Sequence, residues 1–208
     1  MTDVAYTAAW VPDDDPERSW DEAAELAVDW VLQEAQRQGA KPLLVTPTQQ
    51  QWTSGPNRIT WFARTYSAVT PRSSRPARDR GPVLAYVPDY ELMHLAAGYA
   101  RGSSLAVVES AMHPLVGWAM AAGAVNLLTG KTTADTLSEA QRTALDRVHF
   151  YGNNGWTRGF GRDQATRILR DLSGRETAAR DIILGYMVAK GHNGKAVDRL
   201  AKIIDSLG

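Results

Sequence analysis

Asp89, Glu109 and His113 each stand just beyond a short apolar run. "GPVLAYVP" precedes Asp89, and "SSLAVVES" carries Glu109 near its end, with His113 four residues on. Two carboxylates and an imidazole can trade protons near neutral pH, or share a metal. If the two runs are parallel strands of one sheet, the three groups converge at its carboxyl edge, where open sheets bind ligands. That set would suit an enzyme acting on a nucleotide or a small phosphorylated substrate. Each residue also has a plain structural role open to it. Asp89 can cap a helix, Ser110 or His113 can close the next turn, and Glu109 can sit in solvent.

A second kind of chemistry lies in "GWTRGFGRDQATRIL", Gly155 to Leu169. Four glycines fall between Gly152 and Gly161, with Arg158 and Arg162 on either side of Gly159-Phe160-Gly161. Glycines let a backbone turn tightly and approach a phosphate closely. A helix starting there would turn its free amides and its dipole toward that phosphate. Arg158, Arg162, Arg167 and Arg170 would add attraction that does not depend on base sequence, with Gln164 as a polar contact. The order Gly-apolar-Gly-x-x-x-Ala-x-x-Ile-Leu, residues 159–169, resembles the hairpin and second helix of the helix–hairpin–helix motif of DNA-binding proteins. The resemblance implies that Phe160 points inward to pin the hairpin, that Ala165 lets two helices pack closely, and that Ile168 and Leu169 enter the core. Arg158 stands where the family has proline, and Asp163 where it often has lysine. The aromatics His149, Phe150, Tyr151, Trp156 and Phe160 lie beside these arginines, a composition suited to stacking bases. A glycine-rich corner that only joins two helices is the alternative. "KGHNGK", residues 190–195, is a second basic turn opening a helix, without the Gly-x-Gly spacing.

Two fragments carry less. "TGKTT" contains Gly-Lys-Thr, but Val125 occupies the position where a Walker A loop needs its first glycine. Asp89 with Glu109 resembles a nuclease acid pair, yet Ala111 stands at the lysine position and a helical segment separates the acids.

Composition bounds the rest. With 208 residues the chain can bury a sizeable core, and its 44% hydrophobic and 22% charged content is that of an ordinary globular protein. It has no cysteine, which excludes disulfides, thiol catalysis and Cys-ligated zinc. No metal-ligand spacing stands out, and no cofactor can be named. The N-terminus has no basic region followed by an apolar run, and no apolar stretch approaches a membrane span, so a cytoplasmic protein is expected. The zero net charge hides an asymmetry, because residues 1–40 carry ten acids against Arg18 and Arg37. Basic residues gather between Arg58 and Arg80 and again beyond Thr136. A basic body with an acidic arm suits a polyanionic partner.

The elements that must position these residues alternate. "SWDEAAELAVDWVLQEAQRQGA" has Ser19 and Glu22 at capping-box spacing and ends at Gly39. Strands are expected at "PLLVT", "GPVLAYVP", "SSLAVVES" and "AVNLLTG", with helices at 89–102 and 113–123 between the later ones, and "NRITWFARTYSAV" reads as a helix. Strand–helix alternation implies a parallel sheet of about four strands with right-handed crossovers. Beyond Lys131 the signals are helical, with capping pairs at Ser138/Gln141 and Ser173/Glu176. The expected architecture is α/β: an acidic arm (1–18), a small Rossmann-like domain (19–132) and an α-helical domain (133–208). The expected function is nucleic-acid binding through the Gly159–Gly161 turn and its arginines. The strand-end enzyme and a non-catalytic subunit of a homo-oligomer or other protein complex are the rivals.

Overall fold

The computed structural model describes residues 4–73, 81–175 and 179–207. The chain begins with β1 (Thr7–Val11), α1 (Trp20–Gln38), β2 (Leu43–Val45), α2 (Gln50–Thr53), α3 (Asn57–Thr65) and β3 (Ser67–Val69). Next come β4 (Val83–Tyr86), α4 (Tyr90–Tyr99), β5 (Ser104–Val108), α5 (Val116–Ala122), β6 (Val125–Asn126) and β7 (Lys131–Thr132). Four helices close the chain: α6 (Glu139–Tyr151), α7 (Phe160–Arg175), α8 (Arg180–Ala189) and α9 (Gly194–Asp205).

The seven strands form one sheet in the order β3-β2-β4-β5-β1-β6-β7, parallel except for the edge strand β7. This is the α/β architecture with a helical C-terminal region that the alternation implies. The expected four strands are β2, β4, β5 and β6. The additions are β1, β3 and β7. Most consequential is β1, which lies inside the segment expected as an acidic arm and pairs in parallel with both β5 and β6. Ala8, Ala9, Trp10 and Val11 are all buried. Two alanines in a five-residue run give no alternation and little β-propensity, so burial between two neighbours makes this strand rather than its own composition.

Helix α1 starts on the Ser19–Glu22 capping box, both halves formed, and stops where Gly39 turns left-handed at φ 61°. Its Ala23, Ala24, Ala27, Val28 and Val31 join α3's Ile59 and Phe62 over one face of the sheet, on Leu44, Leu84, Ala106 and Val108. The opposite face, with Trp10, Val45, Ala85 and Val107, is covered by α4 and α5. Connections running in opposite directions across the sheet place their helices on opposite faces.

The C-terminal helices build outward from that second face. Gly117 of α5 lies against the backbone carbonyl of Ile182, and Gly185 of α8 against the backbone nitrogen of Trp118, where an added Cβ would sit 2.5 Å away. Two glycines thus bring α5 and α8 into backbone contact. Leu145 and Val148 of α6, Ala165 and Leu169 of α7, and Val197 and Leu200 of α9 belong to the same buried cluster as the sheet residues. Residues on both sides of position 132 therefore share one core. The Ser138–Gln141 capping box forms as expected. Of the Ser173/Glu176 pair, Ser173 falls within α7, while α8 opens at Arg180 after Ala179 with no side-chain cap. Glu176 lies outside the described residues, as does 74–80 of the basic Pro/Ser/Arg stretch.

Candidate nucleic-acid interface

At the strand ends, β1, β4 and β5 finish level, with Val11 and Tyr86 both in register with Val108. α1 follows β1 over one face and α5 follows β5 over the other, so the β1/β5 edge is a crevice of the kind that binds ligands in open sheets. Here it is closed by a reciprocal clasp. Glu109 is buried, and its Oε2 accepts from the Asp13 amide at 2.9 Å while Oε1 accepts from the Leu115 amide. Asp13 Oδ2 in turn accepts from the Ala111 amide at 2.7 Å. Burial pushes the Glu109 carboxyl above its usual range, against the lowering effect of the two amides, and the nearby Asp13 and Asp14 charges add to the rise.

Asp89 accepts from the Leu92 amide at 2.7 Å as the cap of α4. The His113 amide donates to the Ser110 carbonyl at 2.9 Å, and its ring meets Tyr90 edge-on at 5.5 Å. Burial pushes the Tyr90 hydroxyl up to about 12. No hydrogen bond or ion pair joins Asp89, Glu109 and His113 to one another among the described residues. Asp13, which completes the clasp, is the residue that sequence reasoning missed, because the strand before it was read as an arm. The Gly130-Lys131-Thr132 fragment lies in the β6–β7 hairpin and runs into strand β7 rather than directly into a helix, unlike a Walker A loop.

The α6–α7 corner is built differently. Trp156 takes a left-handed φ of 54°, is fully buried, and donates from Nε1 to the Val148 carbonyl at 3.1 Å. Its ring packs on His192 at 4.3 Å, and His192 Nε2 lies 2.9 Å from His149 Nδ1. One imidazole donates and the other accepts, which requires an uncharged acceptor. Burial lowers both rings, His192 to about 4. Arg199 Nε donates to the Gly155 carbonyl at 2.7 Å, holding the turn against α9.

Two of the glycines now have separate reasons. Gly161 lets α7 approach α6, since a Cβ there would sit 2.5 Å from the Tyr151 carbonyl oxygen. Gly159, at φ 111°, has nothing within 4 Å of the Cβ position and faces open space. Ala165, Ile168 and Leu169 are buried, as the resemblance implies. Phe160 is not, and this corrects the expectation that it pins the hairpin. It is 69% exposed at the first position of α7. The pin is Trp156, whose rigid left-handed turn fills the space between α6 and α9 and leaves Phe160 on the rim.

Phe160 meets Tyr151 edge-on at 5.8 Å, and Tyr151 meets Phe150, itself 65% exposed, at 5.3 Å. On the same two helices and the turn between them Arg147, Arg158, Arg162, Arg167 and Arg170 are all exposed, and Gln164 is half-buried. Asp163 and Asp171 are the acids on the same stretch. Between α6 and α7 runs a cavity of about 390 Å³, lined by Ala140, Ala144 and Arg147 on one side and Ile168, Asp171 and Leu172 on the other. In the other basic turn, 190–195, Lys190 pairs with Asp146 at 2.6 Å and Asn193 caps α9, while Lys195 is exposed. Among the described residues, no group of three or more His, Asp or Glu could hold a metal ion, and no helix is long and apolar enough to cross a membrane. No protein-family model matches the chain, and neither a curated protein nor a solved structure is significantly similar to it.

Proposed function

We propose that this chain binds nucleic acid through the phosphate backbone, using the α6–α7 corner. The observation that carries the reading is how the arginines are distributed. Arg18, Arg37, Arg58, Arg142 and Arg180 are held in ion pairs. Arg64, Arg72 and Arg101 are exposed without an ion pair on three separate stretches of the chain, whereas Arg147, Arg158, Arg162, Arg167 and Arg170, all on the α6–α7 hairpin, are exposed and have no ion pair among the described residues. Arg158 and Arg162 flank the start of α7, Arg147 lies one turn before the end of α6, and Arg167 and Arg170 lie two to three turns along α7, a line of unpaired guanidinium groups that suits a run of phosphates. The open turn at Gly159 leaves room for a phosphate to reach the start of α7. Asp163 in the first turn opposes that contact, which puts more of the attraction on the arginines.

The test is fluorescence anisotropy with labelled DNA and RNA at about 50 and about 200 mM salt, where phosphate-dominated binding weakens steeply. The double variant Arg158→Ala/Arg162→Ala should weaken binding and flatten the slope of log K against log salt by one to two phosphate contacts, roughly 0.7–0.9 of slope each. A slope unchanged by the double variant would remove the corner from the interface.

A second reading, an enzyme acting on a nucleotide or phosphorylated metabolite at the strand ends, has one observation in its favour: the raised pKa of Glu109 in the β1/β5 crevice. Both oxygens of that carboxylate already accept backbone amides, which makes it a brace between loops.

A further inference from the structure

We infer that the strand this corner takes is single-stranded, with an unpaired base against the Phe160–Tyr151–Phe150 rings and the chain continuing along the α6–α7 groove. The inference rests on the nucleic-acid reading above and adds the state of the strand.

Backbone contact alone would be served by arginines on a polar surface. Two phenylalanines more than 60% exposed, bridged by Tyr151 through edge-to-face contacts, add an apolar surface that phosphates do not use. Isolated exposed rings are common, but contiguous ones rimmed by polar side chains mark a contact surface. Charge decides what kind. From residue 147 to 171 the chain carries five arginines against Asp163 and Asp171. Exposed aromatic rings on the same hairpin as unpaired cations match bases and phosphates together, the combination found where proteins hold single strands. In a duplex the base faces are stacked on one another and unavailable to Phe160, so a paired strand would meet only the arginines.

The groove extends the same surface. Helical spacing puts Phe160, Gln164, Arg167 and Asp171 along one side of α7, and Ala140, Ala144, Arg147 and Tyr151 along one side of α6. The floor between them is small and apolar, with Ala144, Ile168 and Leu172, and about 390 Å³ is within the range of small-ligand sites. Arg147 stands on its rim for a second phosphate. Exposed Asn153 and Asn154, in the turn beside the rings, offer amides to a base edge.

The experiment uses the full chain, a labelled oligothymidylate of about twenty nucleotides, an oligouridylate of the same length and a mixed-sequence duplex. Wild-type protein should bind the single strands at least about tenfold more tightly than the duplex at equal salt. Phe160→Ala should weaken single-strand binding about tenfold and leave duplex binding unchanged, while Phe160→Trp keeps it. The two single strands separate DNA from RNA, and either one binding supports the inference.

Equal binding of duplex and single strand, or a Phe160→Ala variant as tight as wild type, overturns the single-strand inference. If the arginine double variant still weakens binding in that case, the nucleic-acid reading stands without it. No binding to any probe removes both. Sedimentation on the same samples covers the remaining case. A wild-type dimer that Phe160→Ala converts to monomer would make the rings a contact between copies of this chain, and the inference would be wrong.

Discussion

The strand-end clasp and the α6–α7 corner both gather polar and charged groups, and they use them in opposite ways. At the strand ends the carboxylates of Asp13, Asp89 and Glu109 are turned onto backbone amides within the fold. These side chains supply acceptors for loop and helix-start amides, of which that of Leu115 is buried, where the loops after β1, β4 and β5 leave the sheet. At the corner the internal work is done by Trp156, the paired histidines and Arg199, leaving Phe150, Phe160 and the arginines outside. A cluster of residues that could do chemistry is informative only once its hydrogen bonds have been followed. A side chain already committed inside the fold has little left for a ligand.

The largest effect should come from the pin of the corner. Trp156→Ala removes a fully buried ring and its hydrogen bond, and should cost about 3–5 kcal/mol in urea denaturation. A loss under about 1 kcal/mol would mean that the corner does not depend on Trp156. Next comes the clasp: Glu109→Ala leaves the buried Leu115 amide without an acceptor, at about 1–3 kcal/mol, and frees the partly buried Asp13 amide, which water can reach. Glu109→Gln, which keeps an acceptor oxygen, should lose less. If the two variants are equally stable to urea, Glu109 is no brace and the enzyme reading gains.

pH separates the two regions by sign. His149 and His192 have folded pKa values below the ordinary 6.5, so their contribution is complete above that value and is lost as pH falls toward about 4. The facing charges are those of Asp146 on α6 and Lys190 after α8, with His94 on α4 also opposing a charge on His192. Glu109 runs the other way. Its folded pKa is raised, so its share is complete below 4.5 and declines as pH rises past that value. Urea midpoints measured across pH should fall in acid for wild type, and His192→Gln should flatten the acid limb. A flat limb in the wild type would contradict the imidazole pair. The smallest effect should be on the rim, where Phe160→Ala changes stability by less than about 0.5 kcal/mol. A larger loss would make Phe160 part of the packing, contrary to its exposure.

Much of the fold was legible because it is set by neighbours in the chain. Ser19 with Glu22, Ser138 with Gln141, and Asp89 sit at the spacing their caps require, and all three caps form. The apolar runs of β2, β4 and β5 announce themselves because strands buried on both faces need no alternation. β1 left no such mark: its alanines become strand only by lying between β5 and β6, a pairing that spans about a hundred residues of chain. The clasp went unread with it, since Asp13 meets Glu109 only after β1 is in place. At the corner Ala165, Ile168 and Leu169 are buried where the helix–hairpin–helix resemblance implies it, and Phe160 is exposed where the resemblance implies burial.

What the sequence determined by itself is therefore local: where helices start and stop, which runs are buried, and which stretch gathers aromatics beside arginines. Caps, turns and apolar periodicity act over a few residues and need no distant partner. The tertiary structure decided the rest. It put β1 at the heart of the sheet, joined Asp13 and Glu109 in a clasp between loops about a hundred residues apart, and chose Trp156 over Phe160 as the ring that fills the corner. Each of these depends on what a side chain meets from a distant part of the chain, and burial between such partners overrides any preference a short segment carries.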